Sequence, residues 1–515
     1  MKKILDEVLI VGAGPTGLVL ALWLTKFGIK VRIIDKTAQP GTTSRAMAVQ
    51  ARTLELYQQL DLAKAVEAAG CKNAALNLWV SGKKRARLPL AKVGAKFSPY
   101  PFILMYPQDY HEQLLVDKLQ TLGITVERQT EFLDFENKGD SVIARILLPN
   151  GQEELTQVAY IAGCDGARSP IRHQMDTGFP GGTYSHFFYV ADAEASGENA
   201  NGEINISITK SDFVAWLSYN NHGKGRLIGI INDAREGAEN ITFNDINSDA
   251  IKGLGLTIDK VNWFSTYRVH HRITSHYRLD RVFLLGDAAH VHSPAGGQGM
   301  NTGIGDAINF AWKLAAVMKG QAPDSLLDTY EIERRAFATQ LVQTTDRVFS
   351  FITKDSKLAN FMRVRVVPYL MSFLYSLNFV REFAFRTVSQ IKINYRHSPI
   401  SEGKAGKMSA GERLPWVKCA KYNNFDTLKI MSWQVHIYGI PSQELTSWCA
   451  SNKVPLQIFD WNQESKSAGF TRNAIYLLRP DTYIALIDQT GTPELIDKYF
   501  TKHKFSPNLL NKKPD

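Results

Sequence analysis

Three glycines near the start of the chain have the spacing needed to bring a phosphate group against the backbone. Gly12, Gly14 and Gly17 form G-x-G-x-x-G directly after the apolar run Val8-Leu9-Ile10-Val11 and at the head of a helical pattern. In that setting the first glycine permits a tight turn, the second lets a pyrophosphate approach, and the third lets helix pack on strand. A helix begins at Thr16, just after Pro15, so its N-terminus faces the anion. Asp35 ends the next strand, 18 residues after Gly17, where a carboxylate accepts from ribose hydroxyls; Lys36 follows it. Strand, helix and acid in register point to a dinucleotide, which isolated glycines would not. No second complete G-x-G-x-x-G occurs, so any further dinucleotide binds in a groove without its own glycine fingerprint.

The elements around these residues begin as one βαβ unit: a strand over 8–11, a helix over 16–27 and a strand over Lys30–Ile34. From about 178 to 273, short apolar or alternating runs separated by Gly, Asn and Asp predict an antiparallel sheet. Its aromatics Phe187, Phe188, Tyr189, Trp216 and Tyr219 are candidates to stack on a flat ligand, with plain sheet core as the alternative. Helical patterns dominate 303–392, and 401–412 reads as a linker. Beyond it, strands over 433–438, 456–459 and 475–478 with helices over 442–452 and 492–502 give a thioredoxin-like order, without a C-x-x-C for thiol chemistry.

Composition sets the outer bounds. The 515 residues are 44% hydrophobic and 21% charged, enough for a large core. Four scattered cysteines suggest neither a disulfide framework nor zinc, and no export signal is read, so a reducing cytoplasm is expected. The net charge of +10 looks spread along the chain and fits phosphate-bearing cofactors better than nucleic acid. The uncharged run 366–380 is short for a spanning helix and contains Pro368. With arginines flanking it, a buried inter-domain helix is the leading reading and peripheral membrane contact the lesser one. His290 and His292 have the i, i+2 spacing of some metal sites, but no acidic or Cys partner is suitably placed, so no metal is expected.

Two further motifs complete a pattern. Cys164-Asp165-Gly166-Ala167-Arg168-Ser169 and Gly286-Asp287-Ala288-Ala289-His290 follow the glycine fingerprint in order, and the run from Pro294 through Gly296-Gly297-Gln298-Gly299-Met300-Asn301 to Gly303 comes next. Together with Ser44-Arg45-Ala46, Ala51-Arg52-Thr53 and Gln108 with Glu112, they make the chain resemble class A FAD-dependent aromatic monooxygenases of the para-hydroxybenzoate hydroxylase fold. Ala410-Gly411-Glu412-Arg413-Leu414-Pro415 and Arg479-Pro480-Asp481 resemble the subgroup with a thioredoxin-like tail, which includes aromatic polyketide hydroxylases, hydroxyphenylpropionate hydroxylase and rifampicin monooxygenase.

The resemblance implies an α/β fold: a Rossmann-like FAD-binding domain in two parts (1–177 and 274–400, the latter with connecting helices), an inserted antiparallel-sheet substrate domain (178–273), and a thioredoxin-like domain (401–515). It implies FAD held by Gly12, Gly14, Pro15, Thr16, Gly17, Asp35 and Lys36. Arg45, Arg52, Gln108, Asp165, Gly166 and Arg168 would serve the phosphate, adenosine or nicotinamide side. Gly286 and Asp287 would meet the ribityl chain, and Pro294, Gly296, Gly297, Gln298, Gly299, Met300 and Asn301 the ring. It further implies NADPH or NADH as transient reductant, dioxygen and a small aromatic substrate as partners, and a monomer or homodimer. The reaction would be hydroxylation of a phenolic or polycyclic ring through a flavin C4a-hydroperoxide. No catalytic base is identified. An antibiotic-inactivating monooxygenase uses the same motifs, and a non-catalytic FAD-containing interaction protein is the weakest alternative.

Overall fold

The computed structural model describes residues 7–41, 46–73, 75–209, 213–220, 222–231, 241–246, 248–293, 296–353 and 362–507. The first βαβ unit forms because Glu7–Val11 buries Val8, Leu9 and Ile10 completely and Lys30–Ile34 buries Val31, Ile33 and Ile34, as inner parallel strands require, with Arg32 paired to Glu127. Pro15 starts the intervening helix Pro15–Lys26, and Gly28 at φ +74 turns the chain back. These strands sit in a six-stranded sheet ordered Arg278–Leu279, Val282–Leu284, Tyr160–Gly163, Glu7–Val11, Lys30–Ile34, Val126–Glu127. Only its first pair is antiparallel.

The second sheet has eight strands, and it departs from the wholly antiparallel insert expected over 178–273. Its order is His290–Val291, Thr257–Ile273, Gly181–Ser196, Lys224–Ile231, Phe213–Ser218, Ile204–Ile208, Ala75–Val80, Lys83–Pro89. The last two strands form a hairpin from the N-terminal segment, and Ala75–Val80 pairs in parallel with Ile204–Ile208. Lys83-Lys84-Arg85 begins the outermost strand, and its hairpin partner pairs with a strand far along the chain. A three-stranded antiparallel sheet over Glu131–Asn137, Val142–Leu147 and Glu153–Val158 is likewise unheralded.

Alternation divides the eight-stranded sheet into two faces. Tyr189, Trp216 and Leu227 pack into one core with the short helix Asp249–Lys252. On the other face Ile204, with Leu76, Leu217 and Tyr219 around it, joins the main core built on the six-stranded sheet.

The tail forms a four-stranded sheet ordered Leu456–Phe459, Gln434–Tyr438, Ile475–Leu478, Ile484–Asp488, with the first pair parallel and the others antiparallel. Helices Gln443–Ser451, Gln463–Ser467 and Glu494–His503 accompany it. Helix Val367–Ser376 is not the buried inter-domain helix expected: Tyr369, Leu370 and Phe373 are exposed. Among the described residues no helix is long and apolar enough to cross a membrane.

Candidate cofactor and substrate site

The three fingerprint glycines each meet a different steric demand. Gly12 has φ +103, and a Cβ there would lie 2.3 Å from the Cys164 carbonyl oxygen. A Cβ on Gly17 would lie 2.0 Å from the Gly12 oxygen, so helix and turn touch. Gly14 differs: a Cβ there would meet nothing within 4 Å, so its bare backbone faces open space. Gly14 is also the N-cap of helix Pro15–Lys26 and supplies no side-chain cap, which leaves the first N–H groups for an incoming anion.

A second uncapped helix converges on the same turn. Helix Gly299–Met318 has Gln298 as N-cap with no side-chain capping bond. Gly303, one turn in, has room only for hydrogen because the Thr16 hydroxyl lies 2.3 Å from its ideal Cβ position; Gly286, at φ +60, stands 2.7 Å from that hydroxyl in the same sense. Three sequence motifs therefore meet around Thr16. Asn301 fixes the approach: its Oδ1 accepts from the Gln50 N–H (2.9 Å) and the Thr53 hydroxyl (2.7 Å), and its Nδ2 donates to the Ala48 and Gly297 carbonyls. Gln50 also donates to the Gly296 carbonyl.

Behind this turn lies a charged hub that sequence reading missed. Asp306 accepts from the Gly286 N–H (3.0 Å), bonds His290 Nε2 (2.7 Å), and accepts from Arg334 Nε (2.6 Å). Burial alone would raise its pKa, but Arg334 and His290 outweigh that and hold it below the ordinary value. A signal existed: Asp306, Asn309 and Lys313 recur at helical spacing in an otherwise apolar helix, where polar groups need buried partners. His292 instead bonds the Ser293 carbonyl through Nδ1, and burial lowers its pKa to about 4.

The remaining candidates divide by place. Asp35 accepts from the Ala13 N–H (2.7 Å) and the Thr37 N–H and hydroxyl, so it ties the strand end to the glycine turn, with Lys36 exposed beside it. Gln108 accepts from the Ala46 N–H and donates to Glu112, whose Oε2 accepts from the Gly41 N–H. Asp165 is half-buried with its Oδ1 enclosed, and burial raises its pKa; its Oδ2 accepts from the Ile171 N–H, and its Oδ1 has no hydrogen-bond partner among the described residues. Gly166 has φ +79 with open space at its Cβ position, and Arg168 is exposed. Arg172 braces this turn against the other, donating to the Ala167 and Ala288 carbonyls. Asp287 is exposed, Gln298 is buried against Gln390, and Met300 is half-buried.

Arg52 is placed elsewhere than a phosphate-contacting role requires. Its buried guanidinium donates to Glu55, the Asp481 carbonyl and the Thr482 hydroxyl, so it holds the tail. Arg45 and Pro294 lie outside the described residues.

The inward face of the eight-stranded sheet carries Phe188, Tyr267 and Ile230, with Arg226 paired to Asp192 through two 2.7 Å bonds. Burial pushes the hydroxyls of Tyr219 and Tyr267 up to about 12, so both stay protonated at neutral pH. Trp216 and Tyr189 face the opposite core, where the indole N–H donates to the Ala200 carbonyl. Ladder pairs Arg272–Val291 and Ile273–His290 join this sheet to the His290 loop.

Residues 6–345 match the FAD binding domain family. The chain belongs to it. This monooxygenase is 35% identical over 415 residues to 6-methylpretetramide 4-monooxygenase of Streptomyces rimosus, covering 79% of the chain and 72% of the relative. It is 29% identical over 441 residues to rifampicin monooxygenase of Rhodococcus hoagii (82% and 85% covered). An anhydrotetracycline hydroxylase structure from Streptomyces rimosus superposes with TM-score 0.78 at 26% identity, covering 97% of this chain and 99% of that one. The residues present fit FAD: Gly14 leaves space for a pyrophosphate, two uncapped helix N-termini meet at Thr16, and the buried Asp165 Oδ1 awaits a donor.

Proposed function

We propose that this enzyme hydroxylates a flat phenolic or polycyclic aromatic compound, with NADPH or NADH supplying the electrons. The observation that carries the substrate class is the inward sheet face, where Phe188, Tyr219, Tyr267 and Ile230 give a flat apolar surface around the Arg226–Asp192 pair. When bound, reduced FAD activates dioxygen and supplies one oxygen atom to the ring. The chain's residues do the rest. Gly12, Gly14, Gly17 and the helix at Pro15 would bind the pyrophosphate, and Asp35 and Asp165 would accept from hydroxyl groups of the cofactor. The N-terminus of helix Gly299–Met318, with Gly296, Gly297 and Gln298, would favour negative charge at the ring edge. Asp306 orients His290 and the Gly286 N–H, which shapes the Gly286–His290 loop that would border the cofactor. The aromatic face would orient the substrate and exclude water.

A second reading of the same site, inactivation of a polycyclic antibiotic, draws on the likeness to a relative named rifampicin monooxygenase. The parallel-then-antiparallel tail sheet supports a thioredoxin-like domain over 401–515, following two-part FAD binding over 1–177 and 274–400 with the insert 178–273. Ala75–Pro89 joins the insert's sheet and so refines that division. Four free cysteines are in keeping with a cytoplasmic setting, and a monomer or homodimer is the expected assembly. The test is NADPH and NADH oxidation by the yellow holoenzyme over a panel of phenols, polycyclic quinones, tetracyclines and rifamycins, with isotopically heavy dioxygen. Label in a product from one class assigns the substrate. Oxidation without label in any product overturns the hydroxylase reading.

A further inference from the structure

The net positive charge, expected to be spread along the chain, comes instead from two segments that the fold gathers around one apolar patch. Helices Val367–Ser376 and Asn378–Val388 expose Tyr369, Leu370, Phe373, Phe379 and Phe383, between 48% and 68% each. Phe385 on the second helix points inward instead and fills the space above Gly94, which anchors the pair to the body. Edge strand Lys83–Pro89 packs beside the first helix, and the short helix Leu90–Gly94 beside the second. Segments 83–97 and 362–392 together hold eleven Lys and Arg and a single acid, Glu382. Their net +10 equals the formal charge of the whole chain, so the remaining residues balance to zero.

Cations and aromatics touch within this region. Arg85 lies 5.3 Å from the Tyr369 ring centre, Lys392 3.8 Å from that of Phe383 and Arg386 5.4 Å from that of Phe97. Lys83, Lys84, Lys92 and Arg365 are exposed; Glu382 is engaged by Lys96, and Arg87 by Glu203. Five large apolar side chains on one helical pair form a patch of the kind that marks an interaction site. A cationic rim selects an anionic partner, and aromatic rings with long cationic side chains suit the headgroup boundary, where rings bury and charges reach phosphate. Neither helix is long enough to cross a bilayer, so the mode is lying on it.

We propose that the Tyr369–Phe383 helix pair and the Lys83–Lys96 edge dock this enzyme onto the surface of an anionic phospholipid bilayer. The holoenzyme is sedimented with vesicles of phosphatidylcholine alone and with about a third phosphatidylserine, at low and at about 1 M sodium chloride. Binding is expected on the anionic vesicles only, largely released by salt. Phe373→Ser with Phe379→Ser, and separately Lys83→Glu with Lys84→Glu, should each lower the partition at least about tenfold with flavin content unchanged. Absence of wild-type binding, equal binding to neutral vesicles, or full retention by both variants would overturn the proposal. So would a wild-type dimer in sedimentation velocity that the phenylalanine variant dissociates while vesicle binding is unaffected, which would assign the patch to a second copy.

Discussion

The cofactor turn and the tail contact are both sites of close approach, built in opposite ways. Around Gly12, Gly17, Gly286 and Gly303 the chain comes together because side chains are absent. Where the tail meets helices Gly299–Met318 and Asp328–Thr353, it comes together through buried charge. Arg479 donates to both Glu333 oxygens (2.7 and 2.9 Å) and to Asp481, while Lys313 donates to Glu333 (2.9 Å). Burial alone would raise Glu333, but Arg479 and Lys313 drive its pKa well below normal. Arg413 adds a second clamp on buried Glu55, and Gln59 donates to the Pro480 carbonyl. The contrast teaches that a close approach made of glycines tolerates no added atom, whereas one made of charges tolerates no subtraction.

The largest effect expected is therefore from adding atoms. Gly17→Val should abolish soluble, flavin-loaded protein, since its first added carbon lies 2.0 Å from a backbone oxygen that cannot move aside. Gly14→Ala sharpens the comparison, because its Cβ meets open space: the apoprotein should melt within about 2 °C of wild type while FAD dissociation rises at least about tenfold. Apoprotein melting combined with flavin titration decides it. If Gly14→Ala bound FAD like wild type, the pyrophosphate would not lie over Gly14.

Subtraction should come next. Arg479→Ala leaves Glu333 and Asp481 buried with less compensation, a loss of about 3–5 kcal/mol by the usual cost of breaking a buried pair. Chemical denaturation of the holoenzyme measures it, and a loss under about 1 kcal/mol would show that the tail is held by packing alone.

These two regions also differ in how far sequence betrays them. The glycine fingerprint lies within six residues, and its turn, open backbone and close helix packing are roles that the spacing itself names, although the atom that crowds Gly12 belongs to Cys164. Asn301, Asp306 and Arg334 act on partners up to 253 residues away, and no local pattern pairs Asp306 with Arg334. Arg479-Pro480-Asp481 was legible as a motif, but its partner Glu333 was not. Lys83–Arg85 and the arginines around the 366–380 run look like scattered charge until the sheet brings the hairpin beside the helices. The face assignment of Trp216 and Phe188 was open for the same reason: alternation names two faces, and only the tertiary fold says which is inward.

Acid should loosen both regions by a smaller amount. His111 near the cofactor side is buried against the Tyr57 hydroxyl and has its pKa lowered to about 4 by burial; His436 in the tail sheet is lowered to about 3. A folded pKa below the unfolded 6.5 means that the unfolded chain binds the proton first. The stability each neutral ring contributes is thus complete above about pH 6.5 and is lost as pH falls towards the folded value, about 3 kcal/mol for His111. His111→Gln should flatten the stability slope between pH 6.5 and 4 by close to one proton. An unchanged slope would show that His111 is already accessible to solvent in the folded protein.

The smallest effects separate the two faces of the eight-stranded sheet, and they test the substrate reading most directly. Phe188 sits with Tyr267 and Ile230 on the inward face, while Trp216 is buried in the outer core with its N–H on the Ala200 carbonyl at 3.0 Å. Phe188→Ala removes flat contact area from the proposed substrate surface, so KM for the aromatic substrate should rise about three- to tenfold with kcat changed less. Trp216→Phe deletes a buried donor and part of a ring, so it should cost about 1–2 kcal/mol of stability and leave kcat/KM within about twofold. The double variant should show the two effects adding, because residues on opposite faces share no partner. Should Trp216→Phe raise KM as much as Phe188→Ala, the substrate would lie on the outer face and the inward aromatics would be core.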